Sequence, residues 1–285
     1  MERVKTAVLL TAIMLLFVFM GNLLGGHSGM IIAFVIALGM NFFSYFFSDK
    51  LVLKHYKAIE VNRENARGFY EIVERLTKKA NIPMPKVYII PEAVPNAFAT
   101  GRNPNNAAVA ATEGLLNLMN EKEIEAVMAH ELSHVKHYDI LIGTVAATIA
   151  GAIAILANIM QFGAAFSSNS NNSNGQNPIV LIACAILLPI AATVIRMAVS
   201  RNREFIADEG AARITGHPEW LQSALSKLDA YARGNAPMRE ASQESAHMFI
   251  INPFAGKKLN FASLFSTHPS TSDRIARLEQ LKGRV

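Results

Sequence analysis

Cysteine is almost absent from this chain of 285 residues, which contains only Cys184. An intrachain disulfide is therefore impossible, and a zinc site built from several cysteines is excluded. Charge is also scarce, because Asp, Glu, Lys and Arg together make up 17% of the residues while hydrophobic residues make up 51%. An average soluble domain has about 25% charged residues. This deficit of charge indicates a chain that lies partly in a membrane.

The missing charges leave four apolar stretches, at residues 7–24, 29–47, 140–166 and 178–200. At about 1.5 Å rise per residue, each stretch can approach or cross a hydrocarbon core about 30 Å thick. The fourth is uncharged until Arg196 near its end, where a long side chain can extend to the interface. The sequence therefore predicts four transmembrane helices, although the last two stretches would also suit a helical hairpin partly enclosed by protein.

The positions of Lys and Arg in the short flanking segments predict the orientation of these helices. Basic residues precede the first stretch and follow the second and the fourth, whereas residues 25–28 and 167–177 have none. If all four stretches span, every basic cluster lies on one side of the bilayer, so both termini and the polar regions are predicted to be cytoplasmic. Basic residues beside the membrane favour contact with the lipid bilayer. No basic stripe with interleaved aromatics indicates binding to nucleic acid.

The polar regions predict an α+β fold that is mainly α. Apolar spacing predicts a helix at residues 62–79, and a β-rich run at 86–90 predicts a strand. Turn-forming residues at 101–106 predict a hairpin between 96–100 and 107–112. Asn120 and Glu123 resemble a capping box that opens the next helix. Further helices are predicted at 204–214, 220–233 and 272–281, the last opened by Ser272 or Asp273.

The motif His130-Glu131-Leu132-Ser133-His134 lies directly before the third apolar stretch. Histidines four residues apart share one face of a helix and can hold a single Zn²⁺ through their ring nitrogens. The glutamate between them would lie beside the metal and accept a proton from the attacking water. Three fixed residues in five also recur by chance, but the uncharged residues of this motif favour a buried active-site helix.

The third ligand distinguishes the classes of zinc protease. A metzincin would have a glycine and a third histidine where this chain has His137 and Ile140, so that class is excluded. Glu204, followed four residues later by Asp208, has the spacing of a gluzincin. Glu204 would bind the metal, and Asp208 would hold a ligand histidine by its free ring N–H. The alternative is an exposed acidic face next to two arginines.

The two apolar stretches between His134 and Glu204 are consistent with the metal-site interpretation. An even number of crossings returns the chain to the side from which it left, so both ligand helices can meet at one membrane surface. The predicted organisation is thus two transmembrane helices at 1–48, a first part of the protease domain at 49–139, a membrane-embedded hairpin at 140–200 and a second part at 201–285.

Together, the His130–His134 motif, the Glu204–Asp208 pair and the four apolar stretches resemble the HtpX family of membrane zinc metalloproteases, which are relatives of the CAAX prenyl endopeptidases. The resemblance extends over essentially the whole chain. It implies a cytoplasmic gluzincin-type domain with a small β-sheet, one Zn²⁺ per chain and a location in the bacterial inner membrane. It also implies an endopeptidase that cleaves membrane or misfolded proteins in quality control and stress response.

The resemblance further implies roles for two other segments. The segment Asn96-Ala97-Phe98-Ala99 is similar to the family's edge strand, on which a substrate peptide pairs as an added strand and Asn96 contacts its backbone. His268 would contact the oxyanion or the substrate, and Arg274 would support it. From the sequence alone, His268 and Arg274 could also be ordinary surface residues.

The sequence is also compatible with two alternative functions. A prenyl-peptide protease usually has more apolar spans than the four counted here. A catalytically silent membrane scaffold with a structural metal is disfavoured because Glu131 is intact and no fourth protein ligand is evident.

Overall fold

The computed structural model describes residues 2–143, 145, 201–234 and 269–285. The described part is mainly helical and contains one small mixed sheet, as predicted. Its helices include α1 (Glu2–His55), α2 (Arg67–Ala80), α3 (Glu113–Leu118), α4 (Glu121–Lys136), α5 (Arg201–Thr215), α6 (Pro218–Gly234) and α7 (Thr271–Glu279). Its strands are β1 (Ile59–Val61), β2 (Lys86–Ile90), β3 (Ala97–Gly101) and β4 (Ala107–Thr112).

The apolar helix α1 folds back on itself near Gly26, which has a φ of +56°. The side-chain amide of Asn41 donates a hydrogen bond of 3.0 Å to the carbonyl of Leu10. A straight helix would separate these two residues by about 46 Å. A Cβ added at Gly21 or at Gly29 would overlap the backbone of the other residue, so small residues let the two arms pack closely.

Within the described residues, the segment Gly26–His55 is long and apolar enough to cross a membrane. Thr6–Phe19, in the preceding arm, is a shorter apolar helix. The predicted third and fourth spans lie almost entirely at residues 146–200, outside the described part of the chain. The number of four transmembrane helices therefore stays a prediction.

The sheet has the strand order β1-β2-β4-β3. β2 and β4 are parallel, whereas β1 pairs with β2 and β3 pairs with β4 in antiparallel register. The predicted hairpin is confirmed, with Ala97 opposite Ala111 and Gly101 opposite Ala107. Gly101 adopts a φ of +129° at the end of β3, where a Cβ would overlap the backbone of Asn106.

Both faces of the sheet are covered, and this explains why every residue of the central strand β4 is buried. On one face, Val109 packs in the main hydrophobic core together with residues of α2 and α4. On the other face, Ala108 and Ala110 pack with Phe98 of β3 and with Leu53 from the end of α1. The alternation of side chains along a strand thus places the sheet between the last turns of α1 and the helices that carry the site.

Helix α4 is opened by the capping box predicted from its sequence. The side chain of Asn120 accepts a hydrogen bond of 3.0 Å from the N–H of Glu123, and the Glu123 carboxylate accepts one of 2.9 Å from the N–H of Asn120. The same carboxylate accepts hydrogen bonds from Ser223 at 2.7 Å and Lys227 at 2.6 Å, both on α6. The buried carboxylate of Glu123 therefore caps the N-terminus of α4 and links α6 to α4.

The prediction that Ser272 or Asp273 opens the last helix is wrong. The N-cap is Ser270, whose hydroxyl accepts a hydrogen bond of 3.1 Å from the N–H of Asp273. Ser270 has extended backbone angles, which an N-cap residue needs so that its side chain can reach the third helical N–H.

Replacing Glu123 with Gln should lower the free energy of unfolding by about 1–3 kcal/mol at neutral pH, because a buried charged hydrogen-bond partner is lost. Burial raises the pKa of Glu123, but the hydrogen bonds from Lys227, Ser223 and the Asn120 backbone outweigh it and lower this pKa. A lowered pKa gives stability that is present at neutral pH and is lost as the pH falls through the folded-state pKa. The difference between wild type and variant in thermal unfolding should therefore shrink at acid pH.

The matched control is Glu121→Gln, in the same helical turn but with a side chain 73% exposed. Its ion pair with Arg75 should contribute less than about 1 kcal/mol. Equal loss of stability in the two variants would contradict the assignment of Glu123 as the link between α4 and α6.

Candidate metal centre

Helices α4 and α5 bring the three predicted ligands together. The Nε2 atoms of His130 and His134 are 3.2 Å apart. The Glu204 carboxylate oxygens lie 3.7 Å from Nε2 of His130 and 3.6 Å from Nε2 of His134. Tetrahedral zinc with bonds of about 2.0–2.1 Å would separate its ligand atoms by about 3.3 Å. Among the described residues, this is the group of His, Asp and Glu side chains that could hold a metal ion.

The close approach of α5 to α4 depends on a glycine next to the ligands. A Cβ added at Gly210 would overlap Oγ of Ser133 and lie 2.8 Å from its Cβ. Ala207 and Ala211 of α5 are also almost fully buried. Small side chains on α5 thus allow the two helices to pack closely, and this places Glu204 beside histidines about 70 residues earlier in the chain.

Asp208, one turn after Glu204, holds the first ligand histidine. Its Oδ1 lies 2.9 Å from Nδ1 of His130. With Nδ1–H directed at this carboxylate, Nε2 presents its lone pair to the metal site. Sequence spacing predicted that Asp208 would hold a ligand histidine, and the geometry now supports His130 as that histidine.

Arg274 of α7 is 1% exposed and pairs with Asp208 through two hydrogen bonds of 2.8 and 2.6 Å. It also lies 3.8 Å from the Glu204 carboxylate. Burial opposes its charge, but Asp208 raises the pKa of Arg274, which therefore stays protonated. The family resemblance gave Arg274 a role in support of His268, whereas the structure places Arg274 against Asp208 and Glu204. His268 itself lies outside the described residues.

The sequence interpretation missed Asp139, whose Oδ2 lies 3.1 Å from Nδ1 of His134. This residue follows the end of α4, where Tyr138 adopts a φ of +64° and turns the chain back towards the histidine. No helical spacing marks such a contact, because residue 139 lies outside the helix. Each ligand imidazole therefore has its own carboxylate partner.

The metal site has a strongly negative environment. Burial lowers the pKa of His134, but Asp139, followed by Glu204 and Glu131, raises it to about 9. Acidic groups around an imidazole favour a positive charge at that place, whether a proton or a metal ion. The donor set and its electrostatics therefore both fit a divalent cation.

Glu131 is buried beside the three ligands but contributes no atom to their cluster. Burial raises the pKa of Glu131 to about 7, against the opposing effect of His134. The backbone N–H of Ala99, on β3, faces this carboxylate and also lowers its pKa. A carboxyl group with a pKa near neutrality can accept and return a proton at physiological pH.

The predicted substrate segment 96–99 lies at an outer edge of the sheet formed by the described residues, and Ala99 lies near Glu131. The N–H of Thr112 donates to the carbonyl of Asn96 at 2.9 Å, so the backbone of Asn96 pairs with β4. Because such pairs alternate along antiparallel strands, Phe98 also pairs with β4, whereas Ala97 and Ala99 direct their N–H and C=O groups to the open edge. Asn96 itself is 4% exposed.

Two histidines on one helix, a glutamate from a second helix and a buried glutamate beside them are the groups of a metal-dependent peptidase. The chain belongs to Peptidase family M48, whose model matches residues 63–282. The predicted membership among metalloproteases is thereby confirmed.

Several relatives match the chain from end to end. It is 66% identical to a protease HtpX homolog from Campylobacter hominis over 99% of both chains, and 64% identical to one from Campylobacter curvus over the whole of both. It is 60% identical to one from Sulfurovum sp. over 99% of this chain and the whole of that protein. These relatives confirm the resemblance to the HtpX proteases and support a membrane protein.

The fold also resembles a solved structure, the crystal structure of S. mikatae Ste24p, with a TM-score of 0.52 and 17% sequence identity. The match covers 98% of this chain and 65% of that protein. At this identity the likeness concerns the fold.

Replacing Asp139 with Ala should weaken metal binding about 10- to 100-fold, because the carboxylate that orients His134 is lost. Competition with a chromophoric chelator measures this affinity in detergent. The control Asp229→Ala removes an acidic residue of α6 that is paired with Arg233, and it should leave the affinity unchanged. Unchanged affinity in the Asp139 variant would contradict its assigned role.

Replacing Gly210 with Ala should lower both the metal affinity and the melting temperature, because the new Cβ forces α4 and α5 apart. Adding Ser133→Gly should restore part of both losses, since it removes the atoms that the Cβ would meet. The control Gly68→Ala places a Cβ on α2 with nothing within 4 Å. Its effect on stability should be neutral or slightly favourable. No recovery in the double variant would argue against this contact as the cause.

Proposed function

We propose that this chain is an integral-membrane, zinc-dependent endopeptidase that cleaves membrane or misfolded proteins at the cytoplasmic face of the bacterial inner membrane. One observation carries the proposal: His130, His134 and Glu204 converge from two helices, with the buried carboxylate of Glu131 beside them. A role in membrane protein quality control and stress response is proposed from the family resemblance.

Zinc is the metal that this donor set fits best. Two imidazoles and one carboxylate are the ligands of many catalytic zinc sites, which keep a fourth position open. When bound, Zn²⁺ would polarise the peptide carbonyl and lower the pKa of water at that position. Asp208 and Asp139 would orient the two imidazoles, and Arg274 would fix Asp208.

Glu131 would carry the proton through the reaction. As the water oxygen adds to the carbonyl carbon, Glu131 accepts a proton from that water. When the C–N bond breaks, the proton passes to the leaving amine, so one water becomes part of a new carboxyl group and a new amino group. His268 is proposed to contact the oxyanion or the substrate, as the resemblance implies.

The substrate peptide is proposed to bind as an added strand along residues 96–99. The outward N–H and C=O of Ala97 and the outward C=O of Ala99 would pair with it, and the peptide would then pass directly beside Glu131, which the N–H of Ala99 faces. Asn96 would contact it through its side chain, because the backbone of this residue is already paired with β4.

The membrane arrangement is also a proposal. Gly26–His55 would cross the bilayer as one of four transmembrane helices, and residues 140–200 would form the hairpin that returns the chain to the cytoplasmic side. Support comes from the positions of the basic residues, which include Lys50, Lys54 and Lys57 after the second apolar stretch. The protease domain would then consist of residues 49–139 and 201–285.

Replacing Glu131 with Gln should keep bound zinc at one ion per chain but lower the rate of peptide cleavage by about 10²–10⁴-fold, because the proton acceptor is lost. Replacing Glu204 with Ala should instead lower the zinc content. Metal analysis of the purified protein, together with cleavage of an unfolded protein substrate, measures both effects.

The control Glu209→Ala removes an exposed carboxylate of α5, the helix that contains Glu204. It should change neither the zinc content nor the rate of peptide cleavage. Equal proteolysis by wild type and the Glu131 variant would exclude the assigned role of this residue. A wild-type protein that holds zinc without any cleavage would instead favour the scaffold with a structural metal.

A further inference from the structure

The direction of the edge strand β3 is fixed relative to the apolar helix α1 by two contacts. The rings of Phe98 and Tyr56 have their centroids 5.6 Å apart. Four residues after Phe98, the guanidinium of Arg102 lies over the ring of Phe46, 5.2 Å from its centroid. Phe98 and Arg102 are about 13 Å apart along an extended chain, and Phe46 in α1 and Tyr56 directly after it are about 15 Å apart. β3 therefore runs beside the end of α1 in the opposite direction.

These contacts also set the level of β3 relative to a bilayer. Phe46 is among the last residues of the uncharged run that ends at Asp49, and its side chain is exposed. If Gly26–His55 spans, Phe46 lies at the edge of the hydrocarbon core and the start of β3 lies about 15 Å farther into the cytoplasm. The hairpin tip at residues 101–106 then lies at the level of the lipid headgroups, where a basic side chain such as Arg102 is stable.

The reacting bond is held close to this surface. Helix α4 packs against β3, and the backbone N–H of Ala99 faces the Glu131 carboxylate, so the proposed proton acceptor lies at the level of Ala99. Ala99 precedes Arg102 by three residues, which is about 10 Å along an extended strand. A peptide that lies along the outer edge of β3 would thus have one flank at the bilayer and the other directed into the cytoplasm.

Which end of the peptide lies at the bilayer depends on whether the peptide pairs with β3 in parallel or antiparallel direction. In antiparallel pairing, the N–H and C=O of one residue of β3 bond to the C=O and N–H of a single peptide residue. This pairing is slightly more stable per residue than parallel pairing. β3 already pairs in this way with β4 on its other side. In an antiparallel peptide, the residues before the scissile bond lie beside the hairpin tip.

We propose that this protease selects cytoplasmic segments by chain polarity, that is, by the direction in which the substrate chain leaves the membrane. It cleaves chains whose membrane anchor lies on the N-terminal side of the scissile bond, at a bond within a few residues of the bilayer. This inference rests on the proposed function. About four extended residues would span the 10 Å between the anchor and the scissile bond. A chain anchored on its C-terminal side would have to pass the start of β3 and return, which requires about 10 residues or more.

Two fusion proteins with one transmembrane helix, one cytoplasmic cleavage sequence and one cytoplasmic reporter test this proposal. The helix precedes the cleavage sequence in the first fusion and follows it in the second. Linkers of about 5 or about 30 residues separate the helix from the cleavage sequence. The shorter linker can reach from the bilayer to the scissile bond only when the helix precedes the cleavage sequence. The substrates are reconstituted in liposomes with the full-length, zinc-loaded enzyme.

With the short linker, the N-anchored fusion should be cleaved at least about tenfold faster than the C-anchored one, and the long linker should remove most of this difference. Equal or reversed rates with the short linkers would overturn the inference. So would cleavage of both long-linker fusions without cleavage of either short one. An enzyme that cleaves neither the fusions nor a soluble unfolded protein would overturn the proposed function and this inference with it.

Cross-linking provides a readout that is independent of activity. In a Glu131→Gln, Cys184→Ala background, a cysteine is introduced either by Asn105→Cys at the hairpin tip or by Ala93→Cys before the start of β3. Both positions are exposed. A substrate cysteine before the scissile bond should form a disulfide with the hairpin tip, and one after it should form a disulfide with position 93. The opposite pairing would overturn the proposed polarity.

Discussion

The close packing of α5 against α4 is the constraint on which the rest of the site depends. Two histidines on one helix hold a metal weakly by themselves, and the third ligand must come from a segment about 70 residues later. That ligand reaches them because Gly210 has no side chain where Ser133 lies. A helix pair separated by one additional methyl group would leave Glu204 too far from the imidazoles, since buried helices transmit small displacements directly to their side chains.

Electrostatics explains why this packing arrangement calls for a cation. Four carboxylates and one guanidinium surround two imidazoles in a largely buried volume, so the site has three net negative charges when all acids are ionised and both imidazoles are neutral. Those groups are Glu131, Asp139, Glu204, Asp208 and Arg274. Buried charges of one sign are costly unless they are paired. A divalent metal ion would offset most of the excess, so metal binding and the stability of the helix pair are coupled.

The features predicted correctly from the sequence are local ones. The capping box of α4 and the hairpin of β3 and β4 each arise from a few neighbouring residues, whose chemistry limits the backbone to one arrangement. Helical spacing likewise places the imidazoles of His130 and His134 side by side, and their role as metal ligands stays a prediction. Asp139 was missed because a left-handed residue after the helix, rather than helical spacing, returns it to His134. The contact of Arg274 with Asp208 joins residues 66 positions apart, and no local pattern reports such a pair.

The packing of α1 against the sheet is a further long-range feature, and it has the largest consequence for how the protein works. Leu53 at the end of the apolar helix packs with Phe98 and Ala110, so the hydrophobic cluster on this face of the sheet extends to α1. A displacement of α1 would therefore be transmitted to β3, because closely packed side chains move together. Because the backbone of Ala99 on β3 faces Glu131, the proposed binding of a peptide along β3 would depend on the same packing. The apolar helix α1 and the sheet beside the candidate metal site therefore share one hydrophobic cluster.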